Sequence, residues 1–147
     1  MRVNIASRTM ENAVKFSTAY PLNILIAESG SDPRFSAHDA LIQLGYRPEL
    51  ATTGQEMFNM ASNKSYDVVL MDIGIPEAEY ILASRLDDAD SRRPIFIAMT
   101  TSGPAGFREM FLREGMDHSI SKPVDPEELS LQLKACSVLT GSRHIRG

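Results

Sequence analysis

Cysteine is nearly missing from this sequence: Cys136 is the only one in 147 residues. An intrachain disulfide framework is therefore excluded, and no Cys/His cluster stands at zinc-binding spacing. Histidine is sparse as well. His38, His118 and His144 are scattered along the chain and make a poor metal set. No stretch approaches the roughly 18 apolar residues of a membrane-spanning helix, so no membrane association is expected. Residues 1–20 carry Arg2, Arg8, Glu11 and Lys15 and lack a long apolar core, which does not fit a secretory signal. Positive charge is not in excess either. A net charge of -4 and a pI near 5.3 argue against a general nucleic-acid binder. What is present is ordinary for a globular chain, with 43% hydrophobic and 23% charged residues. The length suits one domain with a real core and not two. A cytoplasmic protein is the default expectation.

The chain is organised around Tyr66-Asp67-Val68-Val69-Leu70-Met71-Asp72. Its uninterrupted apolar run suits a strand buried on both faces of a parallel sheet. It ends on the carboxylate Asp72, followed by the loop residues Gly74 and Pro76. Before it, residues 1–20 read as an arm or linker, with Ala13, Val14, Phe16 and Ala19 able to form one short amphipathic helix. Leu22 to Ala27 is a first strand, ending on Glu28. Asp32 and Pro33 then open a helix, as cap and first helical residue, that runs to Leu44 and is stopped by Gly45. Residues 47–51 read as a second strand, with Pro48 at its start or on a sheet edge. Thr53 with Glu56 has the capping-box spacing, and Met57, Phe58, Met60 and Ala61 give the following helix its apolar side.

Beyond Asp72 the alternation continues. A third helix starts at Pro76, with Ala78, Ile81, Leu82 and Leu86 at helical spacing. A polar loop leads to a buried strand, Pro94 to Met99, ending on Thr100. A fourth helix follows Pro104, faces Phe107, Met110 and Phe111 inward, and ends at Gly115. A short strand at 118–121 reaches Lys122-Pro123. Asp125-Pro126-Glu127-Glu128 opens a last helix with cap, proline and acids in order. Leu129, Leu133 and Cys136 form its inward stripe, with Leu131, Ala135 and Val138 beside it, so Cys136 reads as a small core residue. Residues 140–147 read as a frayed tail. Strands alternating with helices predict an α/β doubly wound parallel sheet of five strands and five helices. The domain limits expected are 1–20 for the arm, 21–139 for the folded unit and 140–147 for the tail.

In open α/β sheets the functional crevice lies at the carboxyl ends of the strands. Glu28, Asp72, Thr100 and Lys122 all fall there. Two neighbouring carboxylates can hold a hard divalent cation through oxygen. An Asp can act as a nucleophile toward a phosphoryl group. A hydroxyl and a fixed cation would then meet the negative oxygens of the transferred group.

These stretches together resemble the receiver domain of two-component response regulators, most of all the receivers attached to hybrid histidine kinases. The resemblance covers about residues 20–139. It rests on Pro21 to Glu28, Leu44-Gly45-Tyr46, Tyr66 to Asp72, Ile75-Pro76-Glu77, Gly115-Met116-Asp117 and Ser121-Lys122-Pro123-Val124. It implies a flavodoxin-like strand order, 2-1-3-4-5. It implies Asp72 as phosphoacceptor, Glu28 as an acidic-pocket residue, Thr100 as the switch hydroxyl and Lys122 as the phosphate-contacting lysine. Magnesium ligands would be Glu28, Asp72 and the backbone carbonyl of Gly74.

The sequence departs from the family pattern at several places. The family usually carries a second acid where Ser29 stands, and a neutral hydroxyl is the poorer magnesium ligand. The switch aromatic three residues before the lysine is Ser119 here, and Glu79-Tyr80 replaces the common Asp-Gly. Two readings follow. In one, Asp72 accepts a phosphoryl group from a histidine kinase or histidine phosphotransfer protein, with magnesium weakly held. In the other, the chain is a degenerate receiver that docks proteins independently of phosphorylation. A third class is a flavodoxin-like cofactor binder, in which Ser29-Gly30-Ser31 would cradle a phosphate. The chain is expected to be a signalling domain and not an enzyme. It is expected to have no attached output domain, and so to act by protein contact without binding DNA. Homodimerisation is left open.

Overall fold

A computed structural model describes residues 16–28, 37–72, 74, 75, 77, 94–100 and 116–146, the last five of these by backbone alone. Five strands form one parallel sheet: β1 (Ile24–Ala27), β2 (Glu49–Ala51), β3 (Val68–Asp72), β4 (Ile95–Thr100) and β5 (His118–Ser121). Their order is β2-β1-β3-β4-β5, the flavodoxin-like arrangement expected. Three helices lie among the described residues: α1 (Ala37–Gln43), α2 (Gly54–Asn63) and α3 (Pro126–Arg146). The expected helices from Pro76 and from Pro104, and the expected cap at Asp32-Pro33, lie outside the described residues.

Alternation along the strands divides the core in two. Ile24, Ile26, Val68, Leu70, Ile97 and Met99 face one way and pack with Ala37, Ala40 and Leu41 of α1 and Leu129, Leu133 and Cys136 of α3. Leu25, Ala27, Val69, Met71, Phe96 and Ala98 face the other way and pack with Met57 of α2. A strand covered on both faces has no polar side to display, which is why β1, β3 and β4 read as unbroken apolar runs.

Local signals act as the sequence predicts. Thr53 Oγ1 accepts from Glu56 N at 3.1 Å, and Glu56 Oε1 accepts from Thr52 N at 2.9 Å. Asp125 Oδ1 accepts from Glu127 N at 3.1 Å at the start of α3. Gly45, with φ of 95°, ends α1 in the left-handed region that glycine enters without steric cost.

Two expectations need correction, and a third is met in part. In line with the short amphipathic helix expected around Phe16 and Ala19, residues 16–19 form a helical turn docked on the domain. Phe16 meets the Tyr46 ring edge-on at 6.1 Å, and Tyr46 Oη donates to the Tyr20 carbonyl at 2.6 Å. Burial pushes the Tyr46 phenol above its ordinary range. The tail is helical: α3 runs on to Arg146, with buried Thr140 donating to the Ser137 carbonyl at 3.2 Å. Finally, Leu131, Ala135 and Val138 do not flank the inward stripe. They are exposed on the other side of α3, because about 100° per residue carries them away from Leu129, Leu133 and Cys136.

Candidate functional site

The parallel register sets the site. Ala27 pairs with Met71, so Glu28 and Asp72 leave adjacent strands at the same level. Met99 pairs with Asp72 and Ser121 with Thr100, which brings the ends of β3, β4 and β5 to one edge. The Lys122 amide donates to the Thr100 carbonyl at 2.7 Å, extending the β4–β5 ladder by one bond. Lys122 therefore emerges beside Thr100 and close to Asp72. The Lys122–Pro123 peptide bond is cis.

Three of the expected residues meet. Lys122 Nζ donates to Asp72 Oδ2 at 2.6 Å, with the two side chains only 10% and 15% exposed. The Gly74 amide donates to Asp72 Oδ1 at 2.9 Å. A Cβ built on Gly74 would stand 3.4 Å from that same oxygen, an ordinary van der Waals contact. Thr100 is buried at the end of β4 and is tied to Lys122 through the backbone. The arrangement sets a carboxylate against an ammonium ion, at the level of a buried hydroxyl residue.

Glu28 is placed at the edge but turned differently. It is buried, and its carboxylate accepts from the amides of Ala37, at 3.2 Å, and His38, at 3.4 Å. The carboxylate is thus committed to the first turn of α1. Ser29 lies outside the described residues. No group of three or more His, Cys, Asp or Glu able to hold a metal ion occurs among the described residues. The two carboxylates expected to ligate a divalent ion already receive an ammonium or backbone amides. Ligation of a divalent cation by these oxygens requires the Lys122 ammonium and the α1 amides to give way.

Ser119, at the place of the expected aromatic, is held from outside the sheet. Gln132 Nε2 of α3 donates to the Ser119 carbonyl at 3.1 Å, while Gln132 Oε1 is buried without a partner. Sequence reading missed this contact. Its only signal was a polar residue next to the inward stripe of α3. Missed too was a cluster at the edge strand β2, where Glu49 accepts from Lys64 Nζ and from Tyr66 Oη, the latter at 2.6 Å. These bonds hold the Glu49 carboxyl below its ordinary range, and burial first, then the Glu49 bond, holds the Tyr66 phenol above its own.

Comparison with known proteins agrees with the fold. Residues 24–134 match the response regulator receiver domain family. Histidine protein kinase 1 of Candida albicans is 31% identical over 130 residues, covering 80% of this chain and 5% of that kinase. This chain thus spans a small part of that relative's length. The receiver domain of sensor histidine kinase PA1611 from Pseudomonas aeruginosa, a structure with magnesium coordinated in its active-site cleft, is 28% identical with a TM-score of 0.67. That match covers 79% of this chain and 97% of the other. The receiver domain of Ssk1 from Saccharomyces cerevisiae, crystallised with the phosphotransfer protein Ypd1, shares the fold at 22% identity and a TM-score of 0.68. It covers 81% of this chain and 90% of the other. The matched family is one of receivers and not of flavodoxin-like cofactor binders. Fold, strand order and family match converge, and the chain belongs to the response regulator receiver domain family.

Proposed function

We propose that Asp72 accepts a phosphoryl group from a phosphohistidine on a histidine kinase or histidine phosphotransfer protein, and that the domain then signals by protein contact. The observation that carries this reading is the Asp72–Lys122 pair, 2.6 Å apart and nearly shielded from solvent. In the transfer, an Asp72 carboxylate oxygen attacks phosphorus, an O–P bond forms, the N–P bond breaks, and the leaving nitrogen takes a proton. Lys122 shifts its ammonium from the carboxylate to an oxygen of the incoming group, where charge concentrates. Thr100 offers the hydroxyl donor. The unit we assign to this role spans residues 21–139, its setting is the cytoplasm, and any self-catalysed transfer or hydrolysis is incidental to signalling. Magnesium would be recruited through Glu28, Asp72 and the Gly74 carbonyl. With Ser29 in place of an acid, and Glu28 held by α1, that binding is weak.

Intact mass after incubation with phosphoramidate, with and without magnesium, tests the assignment. A single phosphoryl adduct on the wild type and none on Asp72→Ala is expected. An adduct persisting on Asp72→Ala places the acceptor elsewhere. The engagement of Glu28 by the α1 amides favours a second reading, a phosphorylation-independent docking module. No adduct on folded wild type at high magnesium selects it.

A further inference from the structure

The main chain and the side chain of Glu28 are held by different elements. Its amide donates to the Ala51 carbonyl at 3.0 Å, which pins the backbone to β2. Both carboxylate oxygens are turned to α1: Oε2 accepts from Ala37 N at 3.2 Å and Oε1 from His38 N at 3.4 Å. Those are long bonds, since N–H···O pairs usually stand about 2.9–3.0 Å apart. The Lys122–Asp72 bond, at 2.6 Å, joins two full charges. The hold of the α1 amides on Glu28 is therefore weaker than the hold of the ammonium on Asp72.

The rest of α1 does not depend on Glu28. Ala40 and Leu41 are buried against the sheet, and the Tyr46 amide donates to the Leu41 carbonyl at 3.0 Å. Beyond that, Phe16 and the Tyr20 carbonyl hold Tyr46 in place. Rotation of the Glu28 side chain away from α1 would thus disturb the first turn and leave the far end anchored. Amides in the first turn of a helix have no acceptor within it, so they need this carboxylate or water.

We infer that Glu28 is a latch shared between α1 and the divalent cation of the strand-end site. Ligation by Glu28 unhooks the first turn of α1, and the hooked turn weakens ligation. A divalent cation offers the buried carboxylate a full opposite charge, where the helix end offers only partial ones. By linkage, each equilibrium shifts the other by the same factor. The inference rests on the reading of Glu28 and Asp72 as cation ligands, and is independent of whether Asp72 takes a phosphoryl group.

Residue-resolved hydrogen exchange of the full chain tests it, with magnesium chloride set against sodium chloride at equal ionic strength and calorimetry reading magnesium binding alongside. At saturation, exchange of the Ala37 and His38 amides is expected to rise about tenfold through local opening, while that of Leu44 and Tyr46 stays the same. Asp72→Ala, which lacks the second carboxylate, should lose the response. His38→Pro deletes one amide and leaves every ligand oxygen in place, a change the first turn of a helix tolerates. It should bind magnesium about fivefold more tightly than His38→Ala, which keeps the amide, because one ordinary hydrogen bond is removed. Should His38→Pro fail to fold by circular dichroism, exchange in the wild type decides alone. Magnesium binding with unchanged exchange at Ala37 and His38 overturns the latch and leaves the phosphoryl assignment intact. Equal magnesium affinity of folded His38→Pro and His38→Ala overturns it too. No magnesium binding at any concentration overturns both the latch and the ligand assignment, and a phosphoramidate adduct on Asp72 would then stand without them.

Discussion

Glu28 and Asp72 are the same kind of group at the same level of the same sheet, on neighbouring strands, yet they hold different things. Asp72 faces an ammonium ion and one loop amide. Glu28 faces the first two amides of α1. The ammonium sits on a long side chain and can move to an arriving anion, while the α1 amides belong to a packed helix and cannot. Under the proposed function, one carboxylate is placed for chemistry and the other for holding a helix to the end of a strand. The amino end of the sheet shows the second use again. Asp67 accepts from Asn23 N at 2.7 Å, and Asp117 accepts from Phe96 N at 2.8 Å, stitching adjacent strands where they begin.

The contrast is open to direct attack. Asp72→Ala should remove phosphoryl labelling altogether, and residual label in the mass spectrum would abolish the division of roles. Lys122→Gln should slow labelling by a factor of about 100, the loss usual when one charge-stabilising donor is removed. A rate within threefold of wild type means the ammonium only neutralises the resting carboxylate. Glu28→Ala should act on stability instead, costing about 2 kcal/mol as buried amides lose a charged acceptor. Urea unfolding reads this, and an unchanged midpoint would show that the α1 amides find water or another acceptor. Ser29→Asp should tighten magnesium by about tenfold, since affinity follows ligand charge. A calorimetric titration without gain would mean that Glu28 stays committed to α1. Smallest is Gly74→Ala: its Cβ would meet Asp72 Oδ1 at 3.4 Å without overlap, so labelling should change less than threefold.

Most of the sheet was legible because burial on both faces leaves only apolar residues in β1, β3 and β4. β5 is harder: only Ile120 is buried in it, and it was found through Lys122-Pro123 and the helix start that follows. At the site, register made the strand-end residues readable as neighbours, since parallel strands of similar length end together. The partner of each side chain was not readable. Nothing in Glu28 itself says that Ala37 and His38 present their amides to it, because that depends on the path of the chain between them. The outward face of α3 escaped for a related reason. Helical spacing groups Leu131, Ala135 and Val138 together, but an apolar letter does not tell which side of the helix the sheet will occupy.

The bond from Tyr46 to the Tyr20 carbonyl bears on how this domain can be cut and grafted. A fragment starting at Pro21 would preserve every strand and every residue at the site. It would also remove the acceptor of the Tyr46 hydroxyl and the Phe16 ring beside it, leaving a phenol without its partner under the end of α1. A cut that keeps Phe16 and Tyr20 therefore retains this contact, and a fusion made ahead of them would carry its own N-terminal clasp.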